Sequence, residues 1–174
     1  MCGICGFTGR ANKIILKKMT DSIIHRGPDE NGFYSDEKIN LGIRRLSIID
    51  VETGHQPIHN EKKNIWIVVN GEIYNYKELR KELKEKGHCF YTDHSDTEVI
   101  VHLYEEYGSS FMHKLNGMFA IALWDKDEDK LLVIRDRMGV KPLFYAIAKN
   151  ILVFGSEIKA ILSHPYYERE VNYE

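Results

Sequence analysis

Three cysteines and four prolines are all that the 174 residues contain, and neither sign of charge is in excess. So few cysteines, odd in number and without scaffold spacing, argue against a disulfide framework. They favour a reducing setting, and a cytoplasmic location is expected. The 24 basic and 26 acidic residues leave a formal charge of −2. That balance creates no field for a polyanion, so no nucleic-acid partner is expected. The longest apolar run, 118 to 124, is strand-sized, far short of a bilayer span, and no membrane partner is expected. The start of the chain carries no basic stretch ahead of a long apolar segment and does not read as a secretory signal. Repeats, low-complexity tracts, Asn-x-Ser/Thr sequons and the glycine-rich loops that cradle nucleotide phosphates are all missing. What is there is 43% hydrophobic and 29% charged residues, enough to bury the core of about one domain.

Spacing predicts three helices. Asn12 caps a segment with Ile15, Met19 and Ile23 on its apolar side. Asn75 caps a second, with Glu78 as its box partner, Tyr76, Leu79 and Leu83 as its stripe, and Gly87 at its end. Ser95 with Glu98 forms a second capping box. It opens a face of Val99, Ile100, Leu103, Tyr104 and Tyr107 that stops at Gly108. Near-continuous apolar runs at 65–69, 118–124, 131–134, 143–148 and 151–154 predict strands covered on both faces. Their links are short, 125–129 and 149–150 among them, so the pairing is antiparallel. Antiparallel sheets buried on both faces need layers on each side. The pattern therefore predicts an α+β fold, a four-layer αββα sandwich of two antiparallel sheets.

Cys2 follows the initiator Met. Removal of Met1 exposes a thiol and a free α-amine on one residue. An α-amine titrates near ~8 and a thiol near ~8.5, so the amine can take the thiol proton, as covalent acyl transfer requires. The plainer reading is that Cys2 begins a strand. Cys2 and Cys5 also spell C-x-x-C, but no second pair and no His at ligand spacing accompany them, so no metal site is expected. On a strand the two point to opposite faces, which makes Cys5 a buried hydrophobe. Asn70-Gly71 ends a buried strand. An Asn amide and a Gly N–H can hold one developing oxyanion, although Asn-Gly is also a strong turn signal. Arg45, set between apolar residues, wants a carboxylate from a ligand or from the protein. Asp96 either complements a helix dipole or holds a ligand ammonium. The run 25–29, His-Arg-Gly-Pro-Asp, reads as a rigid turn first and a site element second.

Eight motifs stand in a family's order: MCGICG at 1, HRGPD at 25, RLSIID at 45, VNGEIYN at 69, SDTEV at 95, GMFAIALWD at 117, RDRMGVKPLFY at 135 and FGSEIKAI at 154. Together they resemble the glutaminase domain of glutamine-hydrolysing asparagine synthetases, class II glutamine amidotransferases of the N-terminal-nucleophile hydrolase fold. The likeness covers residues 1–162, leaving 163–174 as a tail or the start of a linker to a synthetase domain. It implies that Cys2 attacks the glutamine carboxamide, with Asn70 and Gly71 as the oxyanion hole. It also implies that Arg45 binds the α-carboxylate, Glu72 and Asp96 the α-amino group, and that Leu46, Ile48 and Ile49 line the pocket. The substrate implied is L-glutamine, hydrolysed to glutamate and ammonia without a cofactor in this chain. ATP and magnesium would belong to the synthetase part. That domain or subunit, and a homodimer, are the partners to consider. A catalytically silent glutamine-binding or docking module is the alternative.

Overall fold

The computed structural model describes residues 1–167. Strand β1 (Gly3–Thr8) leads to helix α1 (Lys13–Ser22), then β2 (Glu30–Ser35), β3 (Ile39–Arg45), β4 (Ile58–His59) and β5 (Ile65–Ile73). Helices α2 (Tyr76–Glu85) and α3 (Val99–Tyr107) precede β6 (Gly117–Asp125), β7 (Lys130–Arg135), β8 (Phe144–Ala148), β9 (Ile151–Gly155) and the short α4 (Ile158–Ile161). One sheet has the order β2-β3-β1-β9-β8 and the other β4-β5-β6-β7. Every pairing is antiparallel.

Three hydrophobic cores separate four layers, as the spacing predicts. Strand alternation deals the residues out. In β6, Phe119, Ile121 and Leu123 pack toward α2 and α3, while Ala120, Ala122 and Trp124 face the other sheet. In β1, Ile4 enters the layer between the sheets, and Cys5 and Phe7 pack with Leu16, Met19 and Ile161 of α1 and α4. Among the described residues, no helix is long and apolar enough to cross a membrane.

Several local expectations change. The Asn12 side chain does cap α1, accepting from the Ile15 N–H at 3.1 Å, an interaction worth about 1 kcal/mol. The buried stripe of α1, however, runs through Leu16 and Met19, with Ile15 only half-buried. Asn75 precedes α2 but does not cap it. Its amide instead bridges the Lys114 carbonyl and the Asn116 N–H. The Ser95–Glu98 box does not form either, because Glu98 turns away to accept from the backbone N–H groups of Tyr91 and Thr92. Strand β8 is an edge, not a covered strand: Phe144, Tyr145 and Ile147 are exposed. Two strands that the apolar runs do not reveal, β2 and β3, complete the first sheet. Of the expected tail, Ser163 and His164 are buried, and the His164 ring stands edge-on to Phe7, so packing continues past residue 162. Residues 168–174 of that tail lie outside the described residues.

Candidate active site

The alternation that builds the inner core also builds the site. Ile39, Leu41 and Ile43 of β3 face the inner layer, so Arg45 does as well. Val68 of β5 faces it, so Asn70 and Glu72 follow. Ile4 of β1 faces it, so Cys2, one step before the strand, points the same way. These side chains meet at one mouth of the inter-sheet layer, around a cavity of about 200 Å³. That is small beside the roughly 300 Å³ or more of pockets for drug-sized ligands. Cys2, Arg45, Asn70, Gly71, Glu72 and Asp96 all line it. So do Leu46, Ile49 and the outward-lying Ile48, which is 73% exposed.

Cys2 is held on two sides. Its Sγ accepts from the Leu46 N–H at 3.4 Å, and its carbonyl accepts from Arg26 Nε at 2.9 Å. Arg26 is in turn paired with Glu157 at 3.2 Å, which also meets His25 at 2.8 Å. Burial works against the Glu157 charge, yet hydrogen bonds from His25, Lys159 and Arg26 bring its pKa down to about 2. Asp29 accepts from the Ser47 N–H at 2.9 Å and so fixes the loop after Arg45. The run 25–29 is thus a turn that grips the site. The two cysteines of C-x-x-C part as alternation requires, with Cys5 fully buried in the outer core and its thiol pKa pushed up by burial.

Strand β5 passes straight through Asn70 and Gly71, so their pairing is not a turn. The N–H groups of Val69, Gly71 and Ile73 share the edge that β4 leaves open. Gln56 Oε1 takes the first at 2.7 Å and Asp96 Oδ2 takes the third at 2.8 Å. Gly71 lies between them on the strand and lines the cavity. Asn70 is 1% exposed, and its Nδ2 has no hydrogen-bond partner among the described residues. A buried amide donor left unpaired costs about 1–3 kcal/mol. Gly71 is required by the neighbouring strand as well: a Cβ there would stand 2.3 Å from the Met118 carbonyl oxygen.

Arg45 meets a carboxylate of the protein itself. Its guanidinium pairs with Glu30 at 3.0 Å and donates to the carbonyls of Ile49 at 3.1 Å and Asp50 at 2.6 Å, leaving two of five N–H donors over. Asp96 caps the end of β5 rather than the helix. Burial, joined by the charge of Glu72, pushes its pKa up to about 6, against the Ile73 N–H and Arg45. Sequence reasoning misses Lys141. It is 5% exposed, lines the cavity, has no carboxylate in ion-pair reach among the described residues, and sets its Nζ 3.2 Å from Met1 Sδ. Its only signal is its place inside the motif at 135–145. Gln56, Arg26 and Glu157 are likewise supporting groups that no single-residue pattern singles out.

Residues 1–174 match the family model described as a glutamine amidotransferase domain. An asparagine synthetase [glutamine-hydrolyzing] 2 of Bacillus subtilis is 48% identical over 181 residues, covering 100% of this chain and 24% of its own length. The synthetase numbered 1 of the same organism is 46% identical over 91% of this chain and 27% of its own length. The chain thus spans about a quarter of the relatives it matches. A glutamine phosphoribosylpyrophosphate amidotransferase from B. subtilis superposes with a TM-score of 0.77 at 21% identity, over 93% of this chain and 43% of that one. That likeness carries the N-terminal-nucleophile hydrolase fold. On sequence, the chain belongs to the class II glutamine amidotransferase domain family, related to the asparagine synthetases.

Proposed function

We propose that Cys2, freed by removal of Met1, hydrolyses the side-chain amide of L-glutamine to glutamate and ammonia for an asparagine synthetase-type acceptor reaction. The observation that carries this reading is the buried, unpartnered Asn70 amide on the strand whose next residue, Gly71, lines the cavity of Cys2. Such a pair of donors is what a tetrahedral oxyanion needs. Arg45 supplies a cation for the α-carboxylate. Glu72 and Asp96 supply anions for the α-ammonium.

The chemistry balances with the chain's own groups. The α-amine of Cys2 takes the thiol proton as Sγ bonds to the amide carbon. It returns that proton to the leaving nitrogen, and ammonia departs from a γ-glutamyl thioester. Water then adds, the amine takes and returns one proton, the carbon–sulfur bond breaks, and glutamate leaves. The cycle as written calls for no cofactor. While Met1 is attached, the Cys2 nitrogen is an amide and cannot serve as base. A chain that kept Met1 would correspond to the second reading, a silent glutamine-binding or docking module.

Glutamate and ammonia release from glutamine, measured beside the intact mass of the protein, tests both. Loss of Met1 with turnover that disappears in Cys2→Ala supports the enzyme. Turnover near wild type in Cys2→Ala overturns the nucleophile, and a chain that keeps Met1 in its native cell supports the silent module. Ammonia use by an added synthetase partner, and the molar mass in solution, test the synthetase and homodimer pairings.

A further inference from the structure

Among residues that do not line the cavity, three segments bring four metal-ligating side chains together. Glu61 comes from the β4–β5 turn, His88 from the link between α2 and α3, and His102 and Glu105 from α3. One donor atom from each lies within 4.8 Å of all the others. Glu105 Oε2 is 3.3 Å from His102 Nδ1 and 3.6 Å from His88 Nδ1, and Glu61 Oε2 is 3.7 Å from His102 Nδ1. Four N and O ligands at about 2.05 Å from a tetrahedral ion stand about 3.3 Å apart, so small side-chain adjustments close the shell.

The opposite atoms of three of the four are already anchored. Glu61 Oε1 accepts from the Cys89 N–H at 2.9 Å, and Glu105 Oε1 accepts from Asn60 Nδ2 at 2.9 Å. His88 Nε2 meets Glu106 at 3.1 Å. His102, fully buried, turns Nε2 toward the buried carboxylate of Glu98 at 3.7 Å, and no hydrogen bond satisfies that nitrogen. Carboxylates and amides behind the ligands are the arrangement that orients metal-binding imidazoles. Two neutral imidazoles and two carboxylates also balance a doubly charged ion, and mixed N and O donors suit zinc.

We propose that Glu61, His88, His102 and Glu105 form a structural zinc site, which ties α3 and the α2–α3 link to the β4–β5 turn. Chain spacing concealed it because its donors come from three separate segments. The proposal stands without the glutaminase reading, since its test reads metal alone. The Cys2 thiol and amine and the exposed Cys89 are rival zinc ligands. The full chain is therefore taken as Cys2→Ala, Cys89→Ser, stripped with a chelator, and equilibrated with zinc chloride. We expect one zinc per chain. We also expect a melting temperature raised by roughly 5–10 °C at zinc about 100-fold above Kd, and a tetrahedral absorption spectrum with cobalt(II) in its place. His88→Ala and Glu61→Gln, both away from the cavity, should each weaken zinc at least ~10-fold and cut the thermal shift by about half or more at the same zinc concentration. Absence of stoichiometric zinc would leave the cluster an ion-pair network and overturn the site. Zinc binding unchanged in the His88→Ala, Glu61→Gln double variant would overturn it as well.

Discussion

Asn70 and Asp96 pose opposite problems to a side chain. Asn70 is buried with a donor unspent, and Asp96 is buried with a charge. On the proposed function, Asn70→Ala removes one oxyanion donor, so kcat should fall about 10²–10³-fold while KM moves little. Steady-state kinetics separate this from a binding role, in which KM alone would rise. Asp96, with its pKa near 6, binds an ammonium only as a carboxylate. KM for glutamine should therefore climb as pH drops through about 6, and Asp96→Asn should raise KM and flatten that dependence. Stability runs the other way. The folded chain takes up a proton near pH 6 that the unfolded one takes up near 3.8, so this group favours folding as pH falls between those values. A pH series on wild type and Asp96→Asn should show this group's contribution as a KM and a melting temperature that both rise as pH falls through about 6.

Elements whose burial matches their spacing were legible, and those whose side chains serve a neighbour were not. The runs at 118–124 and 65–69 read as strands because both their faces are covered. The run at 143–148 looks the same in sequence, yet it ends the sheet, and no local pattern distinguishes an edge from a centre. Strands β2 and β3 hide because Gly32, Asn31, Asn40, Gly42 and the two arginines interrupt their apolarity. Gly32 and Gly42 lie where the backbone of Gln56 and the side chain of Thr20 approach. Glu98 and Asn75 defeat the capping patterns because each is drafted into a tertiary hydrogen bond. The Gly71 requirement comes from β6 pressing against β5. Gly71→Ala should cost about 1–3 kcal/mol through displaced pairing with Met118 and Phe119. Urea denaturation measures that loss independently of any activity.

At the scale of the molecule, the residues gathered at the cavity arrive from both sheets and from loops that span most of the chain. Sequence order identified them through motifs, but only the sandwich explains why they meet. The roles of the groups beneath them, Arg26, Glu157 and Gln56, needed the folded chain to be seen, since Arg26 and Gln56 act through backbone atoms of other residues and Glu157 through the Arg26 guanidinium. One consequence concerns what length changes the domain tolerates. Cys2, Arg45 and Asn70 hold their places by counting in twos from residues locked in the inner layer. Adding a single amino acid between Ile43 and Arg45, or between Val68 and Asn70, would swing the functional group to the opposite side of its sheet, whereas surface connections such as 149–150 can lengthen freely. Drift in the size of this domain is therefore channelled into its hairpins, and the strands keep a fixed reading frame.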